Sequence, residues 1–167
     1  MTYLKHKEDS PKKLRFAIVT VTDSRTIETD ESGRVVEELL SSNQHEIYKR
    51  LLISNDPDKI RESVEGLLRD GNVDVIVTIG GTGLSKKDIT VDEVSKFVEK
   101  KIDGFGELFR LLSYRKIGKS AMLSRAFAGV AKWKVVVCLP GSADAVELAI
   151  KELILPEIGH MIREARR

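Results

Sequence analysis

Short runs rich in β-branched residues alternate along this chain with segments whose apolar residues recur at helical spacing. The runs lie at residues 15–22, 46–53, 73–79 and 135–139, and they predict β-strands. The segments between them predict amphipathic helices; their apolar residues are Val35, Val36, Leu39 and Leu40, then Ile60, Val64, Leu67 and Leu68, then Val91, Val94, Phe97 and Val98. Strands that alternate with helices favour right-handed crossovers and a parallel sheet covered on both faces. We therefore predict an α/β fold, a three-layer α/β/α sandwich with a mostly parallel central sheet. The wholly apolar run 135–139 is expected to be a central strand.

Local signals support several helix ends. Asp56 before Pro57 fits an N-cap with proline at the first helical position, and Thr90 with Glu93 three residues later fits a capping box. Gly71 fits a helix exit. The pattern weakens between residues 104 and 131, where we expect a helix around residues 107–112. The rest of that stretch is either an antiparallel edge strand or a substrate loop, and the sequence leaves both open.

Length and charge limit the classes of protein to consider. The chain has 167 residues, 41% of them hydrophobic, which suits one compact domain. We expect this domain at residues 14–167, after a basic, flexible segment at residues 1–13. The net charge of +2 gives no reason to expect nucleic-acid binding. No apolar run reaches the roughly 18 residues of a membrane span, and the first residues are charged, unlike a signal peptide. We therefore expect a cytoplasmic protein that does not interact with membranes.

The segment GGTGLSKKDIT follows the third predicted strand and places three glycines and an acid in one strand-to-helix loop. Glycines let backbone N–H groups surround an anion, and the following helix adds its positive dipole end. A carboxylate such as Asp88 repels a phosphate unless a divalent cation lies between them, so the loop predicts magnesium and a nucleotide. The segment does not fit G-x-x-x-x-G-K-[ST], because Lys86 lies three residues after Gly83. It does not fit G-x-G-x-x-G, because Lys86 stands at the third glycine position.

Polar residues follow every predicted strand, in loops at residues 23–33, 54–56, 80–90 and 140–142. Ligands of open parallel sheets bind beyond the carboxyl ends of the strands, where these loops would meet. Asp56 and Asp88 are then expected to form a magnesium site. Each acid also has a simpler interpretation, because Asp56, like Ser32, suits a helix cap and Asp88 suits its own turn.

Other polar residues carry weaker signals. The three histidines lie on different elements without metal-ligand spacing. Ser124 and Arg125 offer a hydroxyl and a guanidinium to a polar ligand, although an isolated Ser-Arg pair is usually an exposed turn. Lys86 and Lys87 are equally consistent with screening a polyphosphate and with simple solvation. Cys138 lies in an apolar run and is expected to be a buried small hydrophobe.

Several segments together carry a family resemblance; they are VTDSRTIETDESG, NDPDKI, GGTG with its spaced Asp and Thr, GFGELFR, LSRAFAG and LPGSADAVELAIKELILPEIGHM. Over about residues 14–161 the chain resembles the MoaB/MogA family of molybdenum-cofactor biosynthesis, MoaB in particular, to which the G domain of gephyrin also belongs. The resemblance implies adenylylation of molybdopterin by Mg-ATP, which produces adenylylated molybdopterin and pyrophosphate. It also implies a homo-oligomer, trimer or hexamer, and a metal-insertion protein as partner.

The resemblance also assigns residues by position. It implies that Asp56 and Asp88 are the two catalytic, magnesium-binding acids and that Ser124 lies on the pterin side. The implied nucleotide loops consist of Gly80, Gly81, Thr82 and Gly83, and of Pro140, Gly141 and Ser142. Further candidate ligand-binding residues are Arg125 and, in the first loop, Ser24, Ser32 and Gly33. The departures are Asn55, Asp103 and Ala143, each standing where the family often has proline.

Three other functions are alternatives to the adenylylation of molybdopterin. A molybdopterin-binding or scaffold protein without catalysis would keep the same residues. A CinA-like hydrolase of a nucleotide diphosphate would share the GGTG loop, although such proteins are expected to have an additional domain beyond residue 167. Nucleic-acid binding through the basic start would depend steeply on salt and little on Asp88.

Overall fold

The computed structural model describes residues 9–167, and the centre of that region is a six-stranded sheet. The strands are β1 (Arg15–Val21), β2 (Glu46–Ile53), β3 (Val75–Ile79), β4 (Lys100–Ile102), β5 (Phe127–Ala131) and β6 (Lys134–Leu139). Their order across the sheet is β2-β1-β3-β6-β5-β4. The first four in this order are parallel, whereas β5 is antiparallel to both of its neighbours. The mostly parallel sheet is confirmed, and so is the interior position of the apolar strand β6.

Helices cover both faces of the sheet; they are α1 (Glu31–Ser42), α2 (Pro57–Arg69), α3 (Thr90–Val94), α4 (Asp103–Ile117), α5 (Ala143–Ala149) and α6 (Leu155–Ala165). Alternate residues of β1 point to opposite faces, which gives two cores. Phe16 packs with residues of α1, α4, α5 and α6, while Ala17 packs with residues of α2 and α3. The predicted three-layer α/β/α sandwich is therefore confirmed. None of the helices that the structure describes has the length and apolar composition needed to cross a bilayer.

The stretch that the sequence left open contains both a helix and an antiparallel strand. Helix α4 is longer than the predicted residues 107–112, and a turn of 3₁₀ helix at Gly118–Leu123 follows it. Strand β5 is antiparallel but is not the edge, because the three-residue strand β4 pairs outside it. A short edge strand that carries lysines discourages pairing with other chains. The predicted flexible segment 1–13 begins outside the described residues.

Two predicted helix caps are wrong. Helix α3 begins with Thr90, its N-cap is Ile89, and no side chain caps it, so there is no capping box. Helix α1 is capped by Asp30, whose side chain accepts a hydrogen bond from the backbone N–H of Gly33, and not by Ser32. By contrast, Asp56 caps α2 with Pro57 next to it, as the sequence predicted. The two errors arise because both hydroxyl groups have other surroundings: Ser32 Oγ donates to the Gly141 carbonyl, and Thr90 Oγ1 is buried beside Gly81.

We expect acid to destabilise the protein partly through Asp74. This carboxylate accepts hydrogen bonds from Arg15 N (2.8 Å) and Arg166 Nη2 (2.6 Å). Burial raises the pKa of Asp74, but its hydrogen bonds with Arg15 and Arg166 outweigh burial and hold the pKa below its ordinary value. The stabilisation is therefore complete above the unfolded-state pKa of about 3.9 and is lost as the pH falls through the folded-state value. Urea unfolding between pH 6 and 2.5 measures this loss.

The matched variants are Asp74→Asn and Asp103→Asn, the second at an exposed site. The first should be less stable at pH 6 and should lose less stability on acidification than the parent. The second should follow the parent curve. An Asp74→Asn curve parallel to the parent at all pH values would contradict the assignment.

Candidate active site

The four polar loops meet at the carboxyl edge of the sheet, as the parallel strand order requires. Asn55 connects three of them, since its N–H donates to Asp23 Oδ1 (2.9 Å) and its Nδ2 donates to the Lys87 carbonyl (2.7 Å). Ser32 Oγ connects the first loop with the fourth by donating to the Gly141 carbonyl (2.6 Å). The loops after β1, β2, β3 and β6 therefore form one continuous surface.

The glycines of the third loop are required by its shape. Gly80 and Gly81 have φ values of 97° and 71°, which side-chain-bearing residues rarely adopt. A Cβ on Gly81 would lie 2.2 Å from Thr90 Oγ1, and one on Gly83 would lie 2.7 Å from Asp88 Oδ2. The backbone of this loop thus lies directly against the residues that follow it.

A cavity of about 340 Å³ lies between the glycine loop and the loop after β6. Its polar side is formed by Gly81, Thr82, Gly83, Asp88, Ser124, Pro140, Gly141 and Ser142. Most of the residues predicted from the sequence to form the nucleotide loops therefore line one space, together with Ser124, which was predicted to lie on the pterin side. Backbone amides, hydroxyls and one carboxylate around a shared volume suit a phosphorylated ligand.

The opposite wall of the cavity was missed by the sequence analysis. It is formed by Phe109, Ser113, Ile117, Ser120, Ala121, Leu123 and Ala145, mostly from α4 and the turn after it. Phe109, Leu123 and Ala145 lie in segments that carry the family resemblance, but the sequence analysis gave them no role in the site, because they reach the cavity through the packing of α4 on the sheet. Ser113 and Ser120 are the polar side chains of this mostly apolar wall, and their spacing before Ser124 is a sequence signal that could have indicated it.

Asp88 is the acid that faces the cavity. Its Oδ2 accepts a hydrogen bond from Ser85 N (2.9 Å). Hydrogen bonds from Ser85 lower the pKa of Asp88, and the Gly83 amide and the charge of Arg125 lower it further, more than partial burial raises it. The side chain is consequently a carboxylate at neutral pH, which is the form that binds a divalent cation.

Asp56 lies beside the cavity and does not line it in the part of the chain that the structure describes. Its Oδ1 accepts hydrogen bonds from Asp58 N (2.9 Å) and Lys59 N (3.0 Å), which is the capping role. The bond between Asn55 and Lys87 nevertheless joins the residues next to Asp56 and Asp88. The loops of the two acids are therefore neighbours.

The donor set near these loops fits magnesium bound with a nucleotide. Within residues 9–167 no group of three or more acidic, histidine or cysteine side chains could hold a metal alone. Mg²⁺ in nucleotide sites typically takes one or two carboxylates and completes its shell with phosphate oxygens and water. Asn55 Oδ1 and Thr90 Oγ1 are buried without a partner among the described residues, so the loops also contain unused oxygen atoms.

The remaining predicted residues lie around the cavity rather than in its lining, among the residues described. Ser24 is exposed, Ser32 is buried on the Gly141 carbonyl, and Gly33 packs on Asp30. Gly80 precedes the lining residues and its φ sets the turn. Arg125 lies behind the glycine loop and donates hydrogen bonds to the carbonyls of Gly83 and Asp88.

A protein-family model described as a probable molybdopterin binding domain matches residues 17–160 of the chain. Molybdenum cofactor biosynthesis protein B of Bacillus cereus is 46% identical over 168 residues, covering 100% of this chain and 99% of that protein. The chain belongs to the MoaB/MogA family. Its relatives support a role in molybdenum cofactor biosynthesis for this family member.

Solved structures of similar proteins have the same α/β fold. A crystal structure of a molybdenum cofactor biosynthesis protein B matches with a TM-score of 0.91 and 46% identity, over 95% of this chain and 99% of that chain. The tungsten cofactor synthesizing protein MoaB from Pyrococcus furiosus matches with a TM-score of 0.85 and 32% identity, over 95% of this chain and 100% of that chain. The MoaB/MogA fold therefore extends over nearly the whole chain.

Proposed function

We propose that this MoaB/MogA protein transfers the adenylyl group of ATP to molybdopterin, giving adenylylated molybdopterin and pyrophosphate. The observation that carries the proposal is the single cavity of about 340 Å³ around which Asp88, Ser124 and two glycine-containing turns converge. The turns supply amides for a polyphosphate, Asp88 supplies a negative oxygen for a cation, and Ser124 supplies a hydroxyl for the second substrate.

The proposed reaction needs alignment more than it needs a base. A phosphate monoester has a second pKa of about 6, so the molybdopterin phosphate is largely ionised at neutral pH. One of its oxygens forms a bond to the α-phosphorus of ATP, and the bond from that phosphorus to the bridging oxygen breaks. The electron pair leaves with pyrophosphate. A cavity without histidine among its described lining residues suits this chemistry.

Magnesium is part of the proposal. Asp88, with Asp56 from the neighbouring loop, would hold the ion together with phosphate oxygens and water. When bound, the ion would supply neutralisation of the charge that develops on the leaving pyrophosphate. The chain's own contribution is to bind and orient the phosphates through the glycine loop and to keep Asp88 ionised.

We also propose a homo-oligomer, trimer or hexamer, whose contact surface includes the outer side of α4 and the following turn. Large apolar side chains that are 49–74% exposed cluster there; they are Leu108, Leu111, Tyr114, Ile117, Met122 and Leu123. Such a cluster is larger than the scattered exposed residues of a monomer surface. Ile117 and Leu123 also line the cavity, so a neighbouring subunit would partly enclose it. The activated product would pass to a metal-insertion protein.

Incubation of the purified protein with ATP, magnesium and molybdopterin tests the reaction, with mass detection of the adenylylated pterin. We expect adenylylated pterin and pyrophosphate in equal amounts, and neither when molybdopterin or magnesium is omitted. Retention of molybdopterin without product would favour the binding or scaffold role. Cleavage of a nucleotide diphosphate in the absence of molybdopterin would favour the CinA-like hydrolase.

A further inference from the structure

Arg125 lies behind the glycine loop, and its guanidinium group binds the loop and the helix that follows it. Nε donates to the Gly83 carbonyl (2.8 Å), Nη2 to the Asp88 carbonyl (2.6 Å) and Nη1 to Asp92 Oδ1 (2.8 Å). The backbone N–H of Arg125 donates to the Thr82 carbonyl (2.9 Å). One residue thus holds both ends of the loop and the helix that follows it.

This arrangement gives the loop two chemically different sides. In a trans peptide the carbonyl and the N–H point in opposite directions. Because Arg125 binds the carbonyls of Thr82 and Gly83, the N–H groups of Gly83 and Leu84 point to the other side. The Asp88 carboxylate lies against Gly83, since a Cβ added to Gly83 would lie 2.7 Å from Asp88 Oδ2. The cavity of about 340 Å³ is lined by Gly83 and Asp88 but not, among the described residues, by Arg125.

We propose that Arg125 is a positioning residue that binds the carbonyl side of the loop and thereby fixes the amides and the Asp88 carboxylate that face the nucleotide phosphates. This inference rests on the proposed use of the loop as the nucleotide site. It differs from direct contact between Arg125 and a ligand, which the residue type alone suggested. The three fixed acceptors require the planar, forked geometry of arginine.

Arg125→Lys and Arg125→Ala separate the two roles through the equilibrium Kd for Mg-ATP, measured by calorimetry. Lysine keeps the charge but cannot hold three separated acceptors, so both variants should raise Kd by about tenfold and differ from each other by less than about threefold. If Arg125 contacted phosphate directly, lysine would keep most of the affinity, because an ammonium binds phosphate well as a point charge.

Asp92→Asn gives a test in which the two roles predict opposite signs. Removing the carboxylate that orients Arg125 should raise Kd for Mg-ATP about two- to threefold if Arg125 positions the loop. It should lower Kd if Arg125 contacts the phosphate, since an acid near the anion has been removed. The effects of Asp92→Asn and Arg125→Lys should not add in the double variant. Glu65→Gln, which removes a carboxylate paired with Arg69 at an exposed site on α2, is the matched control and should leave Kd unchanged.

Amide hydrogen exchange tests the inference without any ligand. In Arg125→Lys, exchange should accelerate at residues 81–89 and remain at parent rates in β1 and β6. Unchanged exchange in this loop, or parent-like binding by Arg125→Lys, would overturn the positioning role while leaving the proposed reaction intact. A parent protein that binds no Mg-ATP would overturn the nucleotide site and this inference together.

Discussion

Replacing Asp88 by asparagine is expected to lower kcat for adenylyl transfer by at least about 10²-fold, because a group that stabilises developing charge is lost. Asparagine keeps the shape of the side chain, and its amide oxygen can still accept the hydrogen bond from Ser85 N, which spans 2.9 Å in the parent. The substitution removes only the negative charge of the side chain. In the parent protein, hydrogen bonds within the loop lower the pKa of Asp88 and so keep its carboxylate ionised. Turnover at saturating ATP and a titration with Mg²⁺ measure the effect, and more Mg²⁺ should be needed.

Two further asparagine variants test whether the loss of activity is specific to Asp88. Asp56→Asn should cost less activity than Asp88→Asn, because Asp56 lies outside the cavity lining and asparagine caps a helix as well as aspartate. Asp70→Asn removes a carboxylate at the opposite edge of the sheet, where it pairs with Lys49 at 3.3 Å, and should leave turnover unchanged. Full activity of Asp88→Asn with a normal urea unfolding curve would remove Asp88 from the mechanism.

The sequence predicted the sheet because its periodicities reflect local geometry. The runs around β1, β3 and β6 are apolar since both faces of these strands are covered, and the helices between them are amphipathic because each covers one face. The parallel order then brings the loops to one edge without any knowledge of side-chain contacts. For the same reason, the cavity residues on the glycine loop and on the loop after β6 could be predicted from the sequence.

Other features depend on contacts between distant segments, which periodicity does not contain. The guanidinium of Arg125 reaches the carbonyl of Gly83, 42 positions away, because the chain before β5 passes behind the loop. The cavity wall from Ser113 to Leu123 exists because α4 packs across the sheet. The predicted capping role of Thr90 was wrong for the same reason, since its Oγ1 is buried beside Gly81 and does not cap the helix. Residue type indicated polar roles, but tertiary packing decided which role.

Breaking the buried ion pair between Asp30 and Arg50 is expected to cause a large loss of stability. The Asp30 side chain is 0% exposed, and its Oδ2 accepts from Thr20 Oγ1 (2.8 Å) and Arg50 Nη2 (3.2 Å). Its Oδ1 caps α1 through Gly33 N (3.1 Å). Asp30→Ala removes the cap and leaves the charge of Arg50, itself 15% exposed, with Glu37 as its remaining carboxylate partner in the described chain. We expect a loss of about 3 kcal/mol in the free energy of unfolding, a large part of a typical total of about 5–15.

Urea unfolding of a small set of variants separates the charge from the cap. Asp30→Asn keeps a capping oxygen and removes the charge, so it should lose less stability than Asp30→Ala. The double variant Asp30→Asn/Arg50→Gln should be less destabilised than the sum of the two single changes by at least about 1 kcal/mol, because each single change leaves one buried charge of the pair without its partner and the double change leaves neither. Glu65→Gln breaks an exposed pair with Arg69 and should change stability by less than about 0.5 kcal/mol. Additive losses in the double variant would mean that Asp30 acts through its cap and its hydrogen bond with Thr20, and not through Arg50.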